Sequence, residues 1–159
     1  MGTKIGLIGL GVLGSAMAPN IINNGFEVFG YDTRPSAIED LERIGVQPTQ
    51  SPSHAATLSD VLITCLPTVD ALLDVFGGSL GIDKTEKRGQ IVIETSTFPV
   101  EQKEKAKSFM DAVGKSMLDC PVSGNRILAV RKQLTAFGSG DENSYKSVKK
   151  VIQSFTNSV

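Results

Sequence analysis

The chain has 159 residues, 40% of them apolar and 21% charged, and a formal net charge of −1. That length fits one domain with a single sizeable core, and Lys and Arg are dispersed, so neither nucleic acid nor an anionic membrane is expected as a partner. No apolar run reaches the roughly 18 residues of a bilayer span, and the N-terminal one is a strand long with no small-residue cleavage site after it, so the chain is read as cytoplasmic.

Strand and helix signals alternate along the chain. Lys4–Leu10 reads as a buried strand, short, aliphatic and ended by glycine. Val12–Asn24 has helical spacing with Gly25 as its stop, and Pro19 is expected to kink or loosen it. Glu27–Tyr31 is a second strand, and Pro35–Ile44 is a helix with proline in its first turn and Gly45 after its end. Val46–Pro48 reads as a weak strand, Ser51–Leu58 as a short helix and Val61–Cys65 as a strongly apolar strand. Val69–Phe76 is helical, residues 77–89 form a polar loop, and Gln90–Glu94 is a strand. Val100–Val113 is an amphipathic helix rich in Lys and Glu. Lys115–Asp119 and Gln133–Phe137 are strands separated by a glycine-containing segment, and Glu142–Phe155 is the last helix. The tail from Thr156 to Val159 reads as the start of a further strand, so the architecture is expected to continue.

This alternation predicts an α/β fold: a doubly wound, mostly parallel Rossmann-type sheet with helices on both faces, filling residues 1–159 as one dinucleotide-binding domain. Cys65 and Cys120 lie far apart with no CxxC spacing and read as small buried hydrophobes. His54 is the only histidine and reads as a surface residue of a short helix. A zinc site or a Ser-His-Asp triad is therefore not expected, and no metal is assigned.

The residues that carry chemistry begin at Gly9-Leu10-Gly11-Val12-Leu13-Gly14, directly after a strand and directly before a helix. Gly9 allows the tight turn, Gly11 lets the backbone approach a pyrophosphate, and Gly14 lets the helix pack close to the sheet. The amides of Val12 and Leu13 are then expected to face phosphate oxygens, aided by the helix dipole. Asp32 follows the second strand, 18 positions after Gly14. A carboxylate there accepts from ribose hydroxyls and repels a 2′-phosphate, which favours NAD. Arg34, two residues on, is placed to reach a 2′-phosphate or to stack on adenine, so NADP stays open.

Four ordered segments, Gly6–Ala18, Cys65-Leu66-Pro67, Glu94-Thr95-Ser96-Thr97 and Asp119-Cys120-Pro121-Val122-Ser123-Gly124, resemble those of the β-hydroxyacid dehydrogenases. That family includes 3-hydroxyisobutyrate dehydrogenase and the tartronate semialdehyde, glyoxylate and succinic semialdehyde reductases. The resemblance implies hydride transfer between a nicotinamide and a 3-hydroxyacid or short semialdehyde. It implies that Gly9 to Gly14 hold the pyrophosphate, that Asp32 and Thr33 hold the adenosine ribose, that Leu66 and Pro67 lie against the cofactor, and that Thr97 approaches the nicotinamide. Ser123, as the substrate-orienting residue, and Gly124 would hold a substrate carboxylate, with Asn125 beside them.

The chain departs from the family pattern at Asn125 and Lys132, where glycines are usual, and at Glu94, which replaces an aspartate. With Arg126 and Arg131 nearby, the region could suit a different anion. The lysine that handles the proton in the family, on a helix opening a second all-helical domain, has no counterpart here. Lys149 and Lys150 read as a solvated face. The chain alone is therefore expected to bind cofactor without appreciable turnover, and is open to weak self-association through an apolar patch near its last helix. Two alternatives stand beside this reading. One is a free-standing NAD-binding or sensing module without turnover; the other is a relative that reduces imines or acts on 6-phosphogluconate.

Overall fold

The computed structural model describes residues 2–158. The elements in order are β1 (Lys4–Ile8), α1 (Val12–Asn23), β2 (Glu27–Tyr31), α2 (Pro35–Glu42), β3 (Gln47–Pro48), α3 (Pro52–Leu58), β4 (Val61–Thr64) and α4 (Val69–Gly77). After a 3₁₀ turn at Ile82–Lys84 come β5 (Ile91–Glu94), α5 (Val100–Ala112), β6 (Ser116–Asp119), β7 (Val122–Ser123), α6 (Arg126–Val130), β8 (Leu134–Ala136), α7 (Glu142–Phe155) and β9 (Thr156–Ser158).

Six strands form a parallel sheet in the order β3-β2-β1-β4-β5-β6. The strands at its centre are continuous aliphatic runs because both faces are covered. Alternate residues feed two cores. Ile5, Leu7, Ile63, Ile93 and Leu118 join Met17 and Ile21 of α1 with Val151, Ile152 and Phe155 of α7. Ile8, Leu62, Val92 and Met117 join Ala55, Leu72, Phe76, Ala106 and Met110 from α3, α4 and α5. Each large side chain so buried contributes about 1.5–3 kcal/mol.

The expected doubly wound sheet is therefore present, with two corrections. Gln133–Phe137 does not extend it. Pro121 has no N–H for the ladder, and the chain instead starts a second sheet in the order β7-β8-β9, with β7 and β8 antiparallel. Within the glycine-containing segment, Asn125 caps a short helix: its Oδ1 accepts from the Leu128 N–H at 3.1 Å. The Asn20 side chain in turn donates to the Ala129 carbonyl at 2.7 Å, docking α6 on α1. Helix α1 extends through Pro19 to Asn23. The strand expected in the tail is present as β9; Val159 lies outside the described residues.

Lys149 and Lys150 are exposed, as expected, while Val148, Val151, Ile152 and Phe155 of α7 are buried. Exposed large apolar side chains occur instead at Ile127 and Val130 of α6 and at Phe137. No helix among the described residues is long and apolar enough to cross a membrane.

Lys132 has φ +57°, the left-handed conformation that costs an L-residue about 1–2 kcal/mol. Its position is the one where glycine was expected, so the backbone keeps a glycine-like shape without glycine. Lys132→Gly should raise the unfolding free energy by about 1 kcal/mol, with the strain relief partly offset by the freer unfolded chain. Urea denaturation checks this as a higher midpoint at unchanged slope.

Candidate functional site

In this parallel sheet every strand exit lies along one edge, and the winding direction reverses between β1 and β4. Loops diverge at such a point and leave a crevice. A cleft of about 640 Å³ opens there, within the ordinary range for a small-molecule site. Its walls bring together Gly9, Gly11, Val12, Leu13, Asp32, Thr33, Arg34, Leu66 and Pro67, all singled out from the sequence.

The three glycines of the turn are needed for different reasons. Gly9 has φ +93°, and a Cβ on it would lie 2.1 Å from the Cys65 carbonyl oxygen. A Cβ on Gly14 would lie 2.0 Å from the carbonyl oxygen of Gly9. Both are fixed by backbone packing. Gly11 is different: its φ is −74°, and a Cβ there would meet only the tip of Arg34, at 3.9 Å. Nothing within the protein requires glycine at that position. The space above it faces the first turn of α1, which has no side-chain cap and no acidic residue. By contrast Ser51, Thr68, Asn125 and Asp141 cap α3, α4, α6 and α7 with their side chains. Free first-turn amides and the positive end of the helix dipole suit an anion. A pyrophosphate fits this cradle.

Asp32 is held at the exit of β2. Its Oδ2 accepts from the Leu10 N–H at 2.8 Å, and its Oδ1 accepts from the Arg34 N–H at 2.9 Å and from Arg34 Nε at 3.0 Å. Arg34 Nη2 also reaches Oδ2 at 3.3 Å. Burial alone would raise the Asp32 carboxyl, but the hydrogen bonds from Arg34 and Leu10 outweigh it and hold the group below the usual range. The four accepting positions of the carboxylate are thus in use. A ribose hydroxyl can engage Asp32 once the guanidinium swings away, and that side chain is 61% exposed, so its release costs little.

Leu10 and Gly14 support the site from behind its wall: the Leu10 side chain is buried while its N–H orients Asp32. Thr97, Ser123, Gly124 and Asn125 do not line the cleft. They lie exposed beyond the exits of β5 and β6, further along the same edge. Asn125 is engaged as the α6 cap. Sequence reasoning missed Ile8, Tyr31, Cys65, Ala71, Asp74 and Val75 as wall residues. Ala71, Asp74 and Val75 recur at helical spacing on α4, which puts them on one face of a segment read only as helical. Tyr31 directly precedes Asp32; burial, with the Asp74 and Asp32 carboxylates, raises its hydroxyl.

Both cysteines are free. Burial pushes the Cys65 thiol up and takes Cys120 to about 11, so neither is a thiolate nucleophile near neutral pH. Among the described residues no group of three His, Cys, Asp or Glu side chains could hold a metal ion. His54 is half-buried, and its Nδ1 accepts from the Gln50 N–H at 3.3 Å.

The family described as the NAD binding domain of 6-phosphogluconate dehydrogenase matches residues 4–159. Rat mitochondrial 3-hydroxyisobutyrate dehydrogenase is 34% identical over 151 residues, covering 94% of this chain and 45% of the relative, so the chain spans about half the length of such relatives. Among solved structures, Psf3 in complex with NADP+ and 2-OPP superposes with a TM-score of 0.92 at 25% identity, covering 98% of this chain and 55% of that one. Mycobacterium tuberculosis 3-hydroxyisobutyrate dehydrogenase with L-serine gives 0.89 at 27%, covering 100% and 54%. The expected resemblance to β-hydroxyacid dehydrogenases is borne out. Imine reductases share the fold alone, at 22% identity in the case of the Streptomyces aurantiacus protein.

Two substitutions in the same turn should separate fold from ligand. Gly14→Ala drives a methyl into the Gly9 carbonyl and should cost on the order of 3 kcal/mol, or about 6–12 °C in thermal midpoint. Gly11→Ala should cost only the modest preference for glycine over alanine at a helix N-cap, about 1 kcal/mol or about 2–4 °C, while weakening NADH binding, as read by calorimetric titration.

Proposed function

The chain belongs to the family of NAD-binding domains described for 6-phosphogluconate dehydrogenase, and from that premise we propose that it holds the cofactor for hydride transfer between nicotinamide and a 3-hydroxyacid or short semialdehyde. The observation that carries this reading is Gly11: a glycine with no internal reason to be one, open above the uncapped start of α1. The bare amides of Val12 and Leu13 hold the pyrophosphate. Asp32, turned by the Leu10 N–H, takes the adenosine ribose and sets the preference for NAD, with Arg34 as the group that admits a 2′-phosphate. Leu66 and Pro67 cover the middle of the dinucleotide, and Thr97 stands toward its nicotinamide end. Ser123 and Gly124 orient the substrate carboxylate by hydroxyl and N–H. The bound dihydronicotinamide supplies the hydride; the chain's own groups position and polarise.

No lysine lines the cleft among the described residues. We assign to this chain cofactor binding as a single domain and leave the general acid–base step, which contributes about 10²–10⁴-fold, to the lysine that the family resemblance places on a helix of a second domain. The free thiols of Cys65 and Cys120 support a reducing, cytoplasmic setting.

Calorimetric titration with NADH and NADPH tests the reading. NADH should bind the more tightly, and Asp32→Ala should weaken NADH more than NADPH; an unchanged preference overturns the assignment of Asp32. If neither coenzyme at roughly millimolar concentration perturbs the loop from Gly9 to Gly14, the cofactor site itself is wrong. Turnover of 3-hydroxyisobutyrate by the chain alone should be negligible, and a rate near about 10 s⁻¹, typical of enzymes, would refute the division of labour.

A further inference from the structure

The helix α5 carries a run of charged residues, yet one of them faces the core. Lys103, Ala106 and Met110 form its buried stripe, while Glu101, Glu104, Lys105 and Lys107 are exposed. The Lys103 side chain is 6% exposed, and its ammonium lies 2.7 Å from Glu94 Oε2 and 2.5 Å from Asp119 Oδ1. It also donates to the Ser96 carbonyl. The ammonium thus hydrogen-bonds Ser96 and Asp119 and is ion-paired with Glu94, in a place where an unpaired ammonium would be very costly. Glu94 is fully buried, and its Oε1 accepts from the Ser96 N–H at 2.9 Å.

These partners are the exits of neighbouring strands. Glu94 ends β5, Asp119 ends β6, and the two are in register. The Ser96 hydroxyl accepts from the Leu66 N–H at 2.8 Å, two residues past β4. The Val122 N–H donates to the Thr95 carbonyl at 3.2 Å, joining the β5 exit to the loop that carries Ser123. One ammonium therefore sits at the node connecting the loops of Leu66–Pro67, Thr97 and Ser123–Gly124. Stability alone gives little reason for it, because an apolar residue on the buried stripe of α5 would serve as well or better. The node instead fixes where loops end.

Those loops belong to one half of the edge. Asp32 and the glycine turn occupy the β2–β1 side, and β4, β5 and β6 lie on the other side of the reversal point. A dinucleotide anchored by its ribose at Asp32 and by its pyrophosphate over Gly11 must place its nicotinamide end over the β4–β6 exits. We propose that Lys103, bridging Glu94, Ser96 and Asp119, is a positioning residue for the nicotinamide half of the cofactor site and has no part in holding the adenosine half. This rests on the dinucleotide reading given above.

The test compares NADH with ADP, which carries the adenosine and both phosphates but neither the nicotinamide nor its ribose. Lys103→Met leaves Glu94 buried without its partner and can fail to fold, so the double variant Lys103→Met/Glu94→Gln, in which the only carboxylate left without its cation is that of Asp119, 40% exposed, is measured beside it. In the double variant ADP affinity should equal that of the unaltered chain, while NADH affinity falls about tenfold and the fluorescence of bound NADH drops as its ring loosens. Equal NADH affinity in the double variant, or a parallel loss of ADP, overturns the role given to Lys103. Failure of the unaltered chain to bind either ligand overturns the dinucleotide reading and this inference with it.

Discussion

The start of α1 is pressed against the sheet by contacts that leave no room for a side chain. Gly14 lies against the carbonyl of Gly9, and Gly9 lies against the carbonyl of Cys65 at the end of β4. Those contacts bring the first turn of the helix over the seam between β1 and β4, where the strand order reverses. A methyl group at either position would lift the helix and carry Val12 and Leu13 away from the cleft. The same turn exposes the Leu10 N–H to Asp32, so the acid at the exit of β2 takes its orientation from the glycine loop. Both ends of the adenosine half are thus set by one backbone geometry.

The other half of the edge is organised by charge rather than by glycine. Three strand exits converge on the Lys103 ammonium and on the Ser96 hydroxyl and peptide groups. Burial raises the Glu94 carboxyl above its ordinary range even though Lys103 and Ser96 pull it back down, so its charge depends on those partners. A node of this kind is stiff, because breaking one contact strands another group without solvent. The edge therefore pairs an exposed, releasable ion pair, Asp32 with Arg34, with a buried one that cannot exchange with water. The first suits a choice between ligands; the second suits a fixed wall.

Much of this was legible in the sequence, and what was not has definite causes. Strands β1, β2, β4, β5 and β6 and the helices between them were found because parallel strands covered on both faces are unbroken apolar runs bounded by turn residues. The glycine turn and Asp32 were legible because their chemistry demands residue types at fixed spacing. The second sheet was not, since β7 and β9 are short and carry little apolar signal. Pro19 sits inside α1, where the packing of Met17, Ala18 and Ile21 offsets its missing backbone bond. Lys103 was not singled out within the amphipathic helix Val100–Val113, because a charged residue gives no apolar periodicity even when it occupies a core position. Its partners Glu94 and Asp119 are distant in sequence, and only the register of β5 with β6 brings them together.

Asn125 and Lys132 hold the segment between β7 and β8 by means other than glycine. Where one glycine is usual, Asn125 takes extended backbone and uses its side chain to start α6. Where another is usual, Lys132 accepts left-handed strain so that the Gln133 N–H can still close on the Leu128 carbonyl at 2.7 Å. The first change replaces backbone freedom with a capping bond; the second holds the chain reversal at a cost in stability. Together they deliver Leu134 into the core and Thr135 opposite Ser123. The short ladder of β7 with β8 is thereby preserved, and with it the placement of Ser123 and Gly124 beyond the β6 exit.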